Sequence, residues 1–302
     1  MRIGINLPHY GALTGPDDII EVSRAVEAMG YDSLWTGDRL LSPLRPSHRY
    51  PGGDGTMPAE MNVYLDPLTA LTFAAATTSR VRLGTSTLNA TLYPPVALAR
   101  TLTTLDVLSR GRLDVGLGLG WLGDEYTASG VPWERRGERL DEILDVWDKV
   151  WVDDVVRHEG ARYRVPDSRI EPKPVQRPRP PILLAGLTPQ AMTRIARRGD
   201  GWLAVGLPLP YLGSLWEQVK TESERYGRSP GAIRMVQRLN PRVTPGPVDP
   251  AEVPARGTLE QIAAYAKAAD PDEVFIDLTL TVRSRAAMLD LAGRFLHLMR
   301  AG

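Results

Sequence analysis

The chain of 302 residues contains no cysteine. That absence excludes disulfides, thiolate metal sites and a cysteine nucleophile, and it removes the usual pointer to a redox compartment. Histidine is scarce, and His9, His48, His158 and His297 are scattered without the spacing of a metal-ligand set. There is no G-x-S-x-G elbow of the serine hydrolase kind. No apolar run approaches the roughly 20 residues of a membrane span. The opening residues, Met1 to Pro8, lack the apolar core of a secretory signal. Neither charge is in excess, since Lys plus Arg and Asp plus Glu both total 36. Local pairs such as Arg135-Arg136 and Arg197-Arg198 read as solvated helix faces. There is thus no electrostatic reason to expect nucleic acid or a membrane surface as partner. The expectation is a cytoplasmic protein acting on a small molecule.

What the chain does have is a regular alternation. Short Val/Ile/Leu-rich runs begin near Ile3, Ser33, Arg82, Leu113, Pro181, Gly201, Ile233 and Glu273. They are mostly continuous rather than alternating, as strands buried on both faces should be. Helical stripes lie between them, for example Ile19, Val22, Val26 and Met29 before Gly30. Asp66-Pro67 and Thr188-Pro189 read as N-caps followed by proline at the first helical position, and Thr258 with Gln261 as a capping box. Eight β-then-α units predict a parallel α/β barrel, the (β/α)8 TIM fold, over residues 1–302 as one domain. A doubly wound open sheet is the rival that spacing alone does not remove. Three insertions interrupt the alternation, near residues 40–62, 152–179 and 240–256. The second contains a hairpin pattern around Glu159-Gly160.

In a barrel of this kind the chemistry belongs at the C-terminal ends of the strands. The second strand ends in Asp38-Arg39, readable as a polar contact to a ring cofactor or as an N-cap or loop ion pair. The third ends in a crowd of polar residues, Thr85, Ser86, Thr87, Asn89 and Thr91, whose buried groups need partners from a ligand or from the next loop. The fourth runs Gly116-Leu117-Gly118-Leu119-Gly120-Trp121 and then reaches Asp124 and Glu125. This is not a dinucleotide fingerprint, because the spacing is G-x-G-x-G and no helix opens at the third glycine. The glycines read as room for a flat ligand against a Trp121 wall, or as a tight turn with a packing tryptophan. Gly186, Leu187 and Thr188 stand between a strand and a helix start, an anion site or a plain turn. His9 follows the first strand and is within reach of the mouth. Trp35, Trp121, Trp133 and Tyr10 hint at an aromatic pocket, although core packing explains most such residues.

Several of these segments together resemble the luciferase-like monooxygenase superfamily over nearly the full chain. They are AVEAMGYDSLWTGD at 25–38, VRLGTSTL at 81–88, PPVALARTLTTLDVLSRGRLDVGLGLGWLGDE at 94–125, EPKPVQRPRPPILLAG at 171–186 and ARRGDGWL at 196–203. The branch it looks closest to uses the deazaflavin coenzyme F420. The resemblance implies a barrel with the cofactor ring at the strand ends and a homodimer. Asp38 matches a position at the ring edge, and Ser86 and Thr87 match a non-proline cis peptide that supports the back of the ring. Asn89 falls where a polar side chain contacts the ring, and Gly186, Leu187 and Thr188 match the phosphate turn.

Two departures bear on the reaction. Several F420 enzymes carry histidine directly after the aspartate, where this chain has Arg39. Sugar-phosphate dehydrogenases of the group place a catalytic glutamate where this chain has Trp121, which argues against sugar-phosphate oxidation. The leading expectation is F420-dependent hydride transfer, with Arg39 on a carbonyl or acidic substrate and His9, Asp124 or Glu125 managing a proton. The alternative is an FMN-dependent monooxygenase supplied with reduced FMN by a partner flavin reductase. A barrel that binds a flavin without chemistry is the third reading.

Overall fold

The structure, a computed structural model, describes residues 1–301. In chain order the strands are β1 (Arg2–Asn6), β2 (Ser33–Thr36), β3 (Arg82–Thr85), β4 (Leu113–Leu117), β5 (Val156–Glu159), β6 (Arg164–Ser168), β7 (Ile182–Ala185), β8 (Gly201–Val205), β9 (Arg234–Leu239), β10 (Arg242–Val243), β11 (Arg256–Gly257) and β12 (Glu273–Ile276). Eight of them close a parallel barrel in the order β1-β2-β3-β4-β7-β8-β9-β12, and β12 pairs back onto β1. The open-sheet rival is thereby removed. Each barrel strand starts within one residue of its expected position, because runs buried on both faces leave a continuous apolar signature.

The helices are α1 (Pro16–Met29), α2 (Pro67–Thr77), α3 (Pro95–Leu108), α4 (Gly123–Ala128), α5 (Arg136–Val152), α6 (Pro189–Arg198), α7 (Leu209–Arg225), α8 (Leu259–Ala269) and α9 (Arg285–Arg300). Their ends follow the local chemistry. Asp66 accepts from the Thr69 amide at 2.7 Å, Thr258 and Gln261 form a reciprocal capping box, and Gly30 ends α1 at φ +99°. Residues 156–168 form the β5–β6 hairpin, fastened to α5 where Glu142 accepts from the Arg162 and Tyr163 amides. Residues 242–257 carry the short β10–β11 pair.

Inside the barrel the side chains form tiers, and these decide which end is open to chemistry. At the N-terminal end a buried ion network closes the barrel: Asp114 bridges Arg82 (2.6 Å) and Arg234 (2.5 Å), and Glu273 meets Arg2 at 2.8 Å. Above it lies an apolar tier of Trp35, Leu183, Leu203, Val236 and Phe275. Trp35 stacks on Phe275 with ring centroids 4.6 Å apart and donates its indole N–H to Ser33 and Glu273. It is therefore a filler of the barrel interior and not a pocket wall. Glycine at position 84 makes this possible, since a Cβ there would sit 2.4 Å from the indole. Above this tier, the C-terminal mouth carries the unpartnered polar groups of Arg39, Asn89 and Arg238.

Candidate active site

The mouth is built from the ends of β1 to β4 on one side and of β9 and β12 on the other. At the end of β3 the Ser86–Thr87 peptide is cis, where the resemblance places it. The following residues turn over the barrel, and Leu88 bridges to Leu117 on β4. The glycines of β4 answer this turn one by one. A Cβ at Gly116 would lie 1.8 Å from the Thr85 carbonyl, at Gly118 2.4 Å from Thr87 Oγ1, and at Gly120 2.6 Å from Asn89 Nδ2. The G-x-G-x-G run thus makes room for the neighbouring strand end rather than directly for a flat ligand. Gly120 alone is exposed, and it adopts φ +64°.

Asn89 is 5% exposed. Its Oδ1 accepts from Thr91 Oγ1 at 2.7 Å, while its Nδ2 is buried with no partner. Tyr126 fixes the arrangement by bonding both Thr91 and the Leu119 carbonyl. Asp38 lies beside it, neither capping a helix nor pairing with Arg39. Its carboxylate accepts from the Asn89 amide at 3.1 Å and from the Tyr93 hydroxyl at 3.3 Å. Burial pushes its pKa up to about 6, against the pull of the Asn89 amide and with help from nearby Glu125.

Arg39 is buried over the Trp121 ring, its guanidinium carbon 4.7 Å from the centroid. Glu125 stands 3.7 Å from Arg39 Nη1, but its Oε1 already accepts from the Leu40 amide at 2.9 Å. Burial raises the Glu125 pKa. Asp124 is turned the other way and accepts from the Ser47 amide and hydroxyl, so it anchors the 40–62 insertion. The same insertion sets His48 against Trp133 and Tyr50 edge-on to Trp121, lying across the mouth. Trp121 is accordingly a wall of the mouth, and Trp133 packs outside it.

His9 is fully buried and both ring nitrogens are committed to backbone. Nδ1 donates to the Leu7 carbonyl at 2.9 Å, and Nε2 accepts from the Gly37 amide at 2.8 Å. Burial lowers its pKa to about 4, so the ring is neutral near pH 7. It ties β1 to β2 and has no nitrogen free for proton transfer. Gly186, Leu187 and Thr188 lead into α6, and Thr188 caps that helix by accepting from the Ala191 amide. Leu187 and Thr188 are exposed at this helix start.

Sequence reasoning missed the far side of the mouth. Arg238, at the end of β9, donates Nη1 to the Ser86 carbonyl at 2.6 Å and Nη2 to Asp277 at 3.0 Å, leaving Nε without a partner. Asp277 follows β12 and also accepts from Tyr10 (2.9 Å) and Asn240 (3.1 Å). Tyr10 in turn stacks on Tyr64 at 4.7 Å. The available signal was a charge inside each of two apolar strand segments, MVQRL and VFIDL.

The luciferase-like monooxygenase family model matches residues 1–283. An uncharacterised protein of Mycobacterium bovis is 31% identical over 220 residues, 69% of this chain and 78% of the relative. An F420-dependent glucose-6-phosphate dehydrogenase of Amycolatopsis mediterranei is 31% identical over 217 residues, 70% of this chain and 60% of the relative. The oxygenase component of a flavin-dependent trigonelline monooxygenase of Acinetobacter baylyi is 30% identical over 179 residues, 58% of this chain and 44% of the relative. Two solved structures share the fold at lower identity. They are a monooxygenase of Streptomyces bottropensis (TM-score 0.78, 23% identity, 99% and 97% of the two chains) and an F420-dependent secondary alcohol dehydrogenase (TM-score 0.79, 16% identity, 99% of each). With a closed barrel, a polar C-terminal mouth and a family match over most of its length, the chain belongs to the luciferase-like monooxygenase family of oxidoreductases.

Proposed function

We propose that the protein is a coenzyme F420-dependent oxidoreductase that exchanges a hydride with a small organic substrate at the barrel mouth. The observation that carries this reading is Asn89 Nδ2, a buried donor without an acceptor. An unmatched buried amide costs on the order of 1–3 kcal/mol, which an incoming carbonyl or ring nitrogen relieves. The residues present suit a deazaflavin ring. Asn89 donates to it, Ser86 and Thr87 back it, Asp38 meets its edge, and the amides at the start of α6 receive a phosphate. When bound, the deazaflavin supplies the hydride chemistry. The chain's own residues orient substrate and move protons. Asp38 presents a carboxyl that exchanges its proton near pH 6, and Arg39 lends positive charge to a substrate oxygen.

The F420-dependent relative supports the choice of cofactor, since it aligns over 70% of this chain. The second reading, an FMN-dependent monooxygenase fed by a reductase, draws on the flavin-dependent relative, which aligns over 58%. Titration of the purified protein with oxidised F420 and with FMN separates them. Micromolar F420 binding with weaker FMN binding is expected. Preferential retention of FMN, with oxygen-dependent substrate turnover, would overturn the assignment.

A further inference from the structure

The mouth contains buried guanidinium N–H groups that the fold leaves without hydrogen-bond partners. Arg39 is 8% exposed at its side chain, and its Nε and Nη1 have no hydrogen-bond partner. Arg238 also keeps a buried Nε without a partner. Their nearest carboxylates are already served. Glu125 Oε1 takes the Leu40 amide, and Asp277 accepts from Tyr10, Asn240 and the Thr279 amide besides Arg238. The two cations border one part of the mouth: Tyr50 and Tyr64 pack on the same buried Tyr10, Met61 and Leu280, and a Cβ at Gly37, two residues before Arg39, would lie 3.5 Å from the Tyr64 hydroxyl and 3.7 Å from Arg238 Nη1. Its walls are aromatic. Tyr64 lies on Tyr10 with planes 9° apart, and Tyr50 stands edge-on to Trp121, the ring that carries Arg39.

A desolvated guanidinium N–H aimed at no acceptor is costly, and a charged acceptor satisfies it better than a neutral one. Flat aromatic walls add a preference for a planar body. We propose that this chamber receives the substrate as a planar oxyanion, an aromatic or conjugated carboxylate, whose oxygens are held by Arg39 and Arg238. The assignment rests on the mouth being the substrate end of the cofactor site, and it makes the two arginines specificity-determining residues.

The test uses the full chain with and without saturating F420 and compares two probes of equal shape, benzoate and neutral benzamide, by titration calorimetry. Benzoate is expected to bind roughly tenfold or more tightly than benzamide. Arg39→Met should abolish that preference, and Arg238→Lys should reduce it. Arg39→Met removes no hydrogen bond of Nε or Nη1, only the 3.7 Å pairing with Glu125, and decides the matter if Arg238→Lys does not fold. Equal binding of the two probes, no binding of benzoate, or a preference that survives Arg39→Met overturns the proposal. F420 binding is read separately from the cofactor's own fluorescence. F420 bound without a benzoate preference defeats the anion chamber alone. A benzoate preference in protein that does not bind F420 defeats the cofactor assignment alone.

Discussion

The Arg238 guanidinium on β9 reaches across the barrel to the Ser86 carbonyl at the end of β3, at 2.6 Å. These strands are four places apart in a ring of eight, so the bond spans the mouth. The same side chain bonds Asp277, and both oxygens lose a donor if it is shortened. Arg238→Met is expected to destabilise the protein by about 2–4 kcal/mol, because it leaves a buried carboxylate without its cation. Urea unfolding measures this. A loss below about 0.5 kcal/mol, the size of an ordinary surface change, would show that the bond does not brace the mouth.

His9 predicts the acid limb of the stability curve. Its folded pKa of about 4 lies below the ordinary 6.5, so the native state stays neutral where the unfolded chain takes up a proton. Stability from this group is therefore fully present above pH 6.5 and is lost as pH falls towards 4. The span corresponds to on the order of 3 kcal/mol. Unfolding free energies measured across that window should lose about one proton of slope in His9→Gln. An unchanged slope would show that His9 titrates alike in both states.

Asp38 has the opposite sign. Its folded pKa of about 6 lies above the ordinary 3.8, so between those values the native state holds the extra proton and stability falls as pH rises. The penalty is complete above pH 6. Asp38→Asn keeps an acceptor for the Asn89 amide and removes the buried charge. It should raise stability at pH 7.5 by on the order of 1–2 kcal/mol, allowing for partial exposure, with the gain vanishing below about pH 4. A gain of equal size at both pH values would assign the effect to packing instead.

Gly120 is the residue through which the ring site is disturbed most selectively. A Cβ there meets Asn89 Nδ2 at 2.6 Å, and φ +64° is unfavourable for alanine. Gly120→Ala should cost about 1 kcal/mol of stability. It should weaken cofactor binding roughly tenfold by turning Asn89 aside. Fluorescence titration beside thermal melts checks both, and unchanged affinity would mean that Asn89 does not touch the cofactor.

The barrel was legible because each strand is buried on both faces and bounded by helix caps such as Asp66 and Thr258, signals that need only neighbouring residues. The polar end of β3 was legible for a related reason, since hydroxyls and amides seldom close an apolar strand without purpose. The rest depends on contacts far apart in sequence. Arg238 and Ser86 are 152 residues apart, and no local pattern joins them. The meaning of the β4 glycines lies in side chains of another strand, and Trp35 points inward because Gly84 clears its place. The position of His9 after β1 suggests a candidate for managing a proton, whereas its partners, Leu7 and Gly37, make it a tie between strands.

On this reading the mouth grips a planar cofactor ring between Asn89 and the Ser86–Thr87 turn. A crystal structure of the F420-loaded protein tests it most directly. A ring acceptor is expected within hydrogen-bond distance of Asn89 Nδ2, with the phosphate on the Leu187 and Thr188 amides. F420 lodged elsewhere, or a ring edge that leaves Asn89 Nδ2 without a partner, would contradict it.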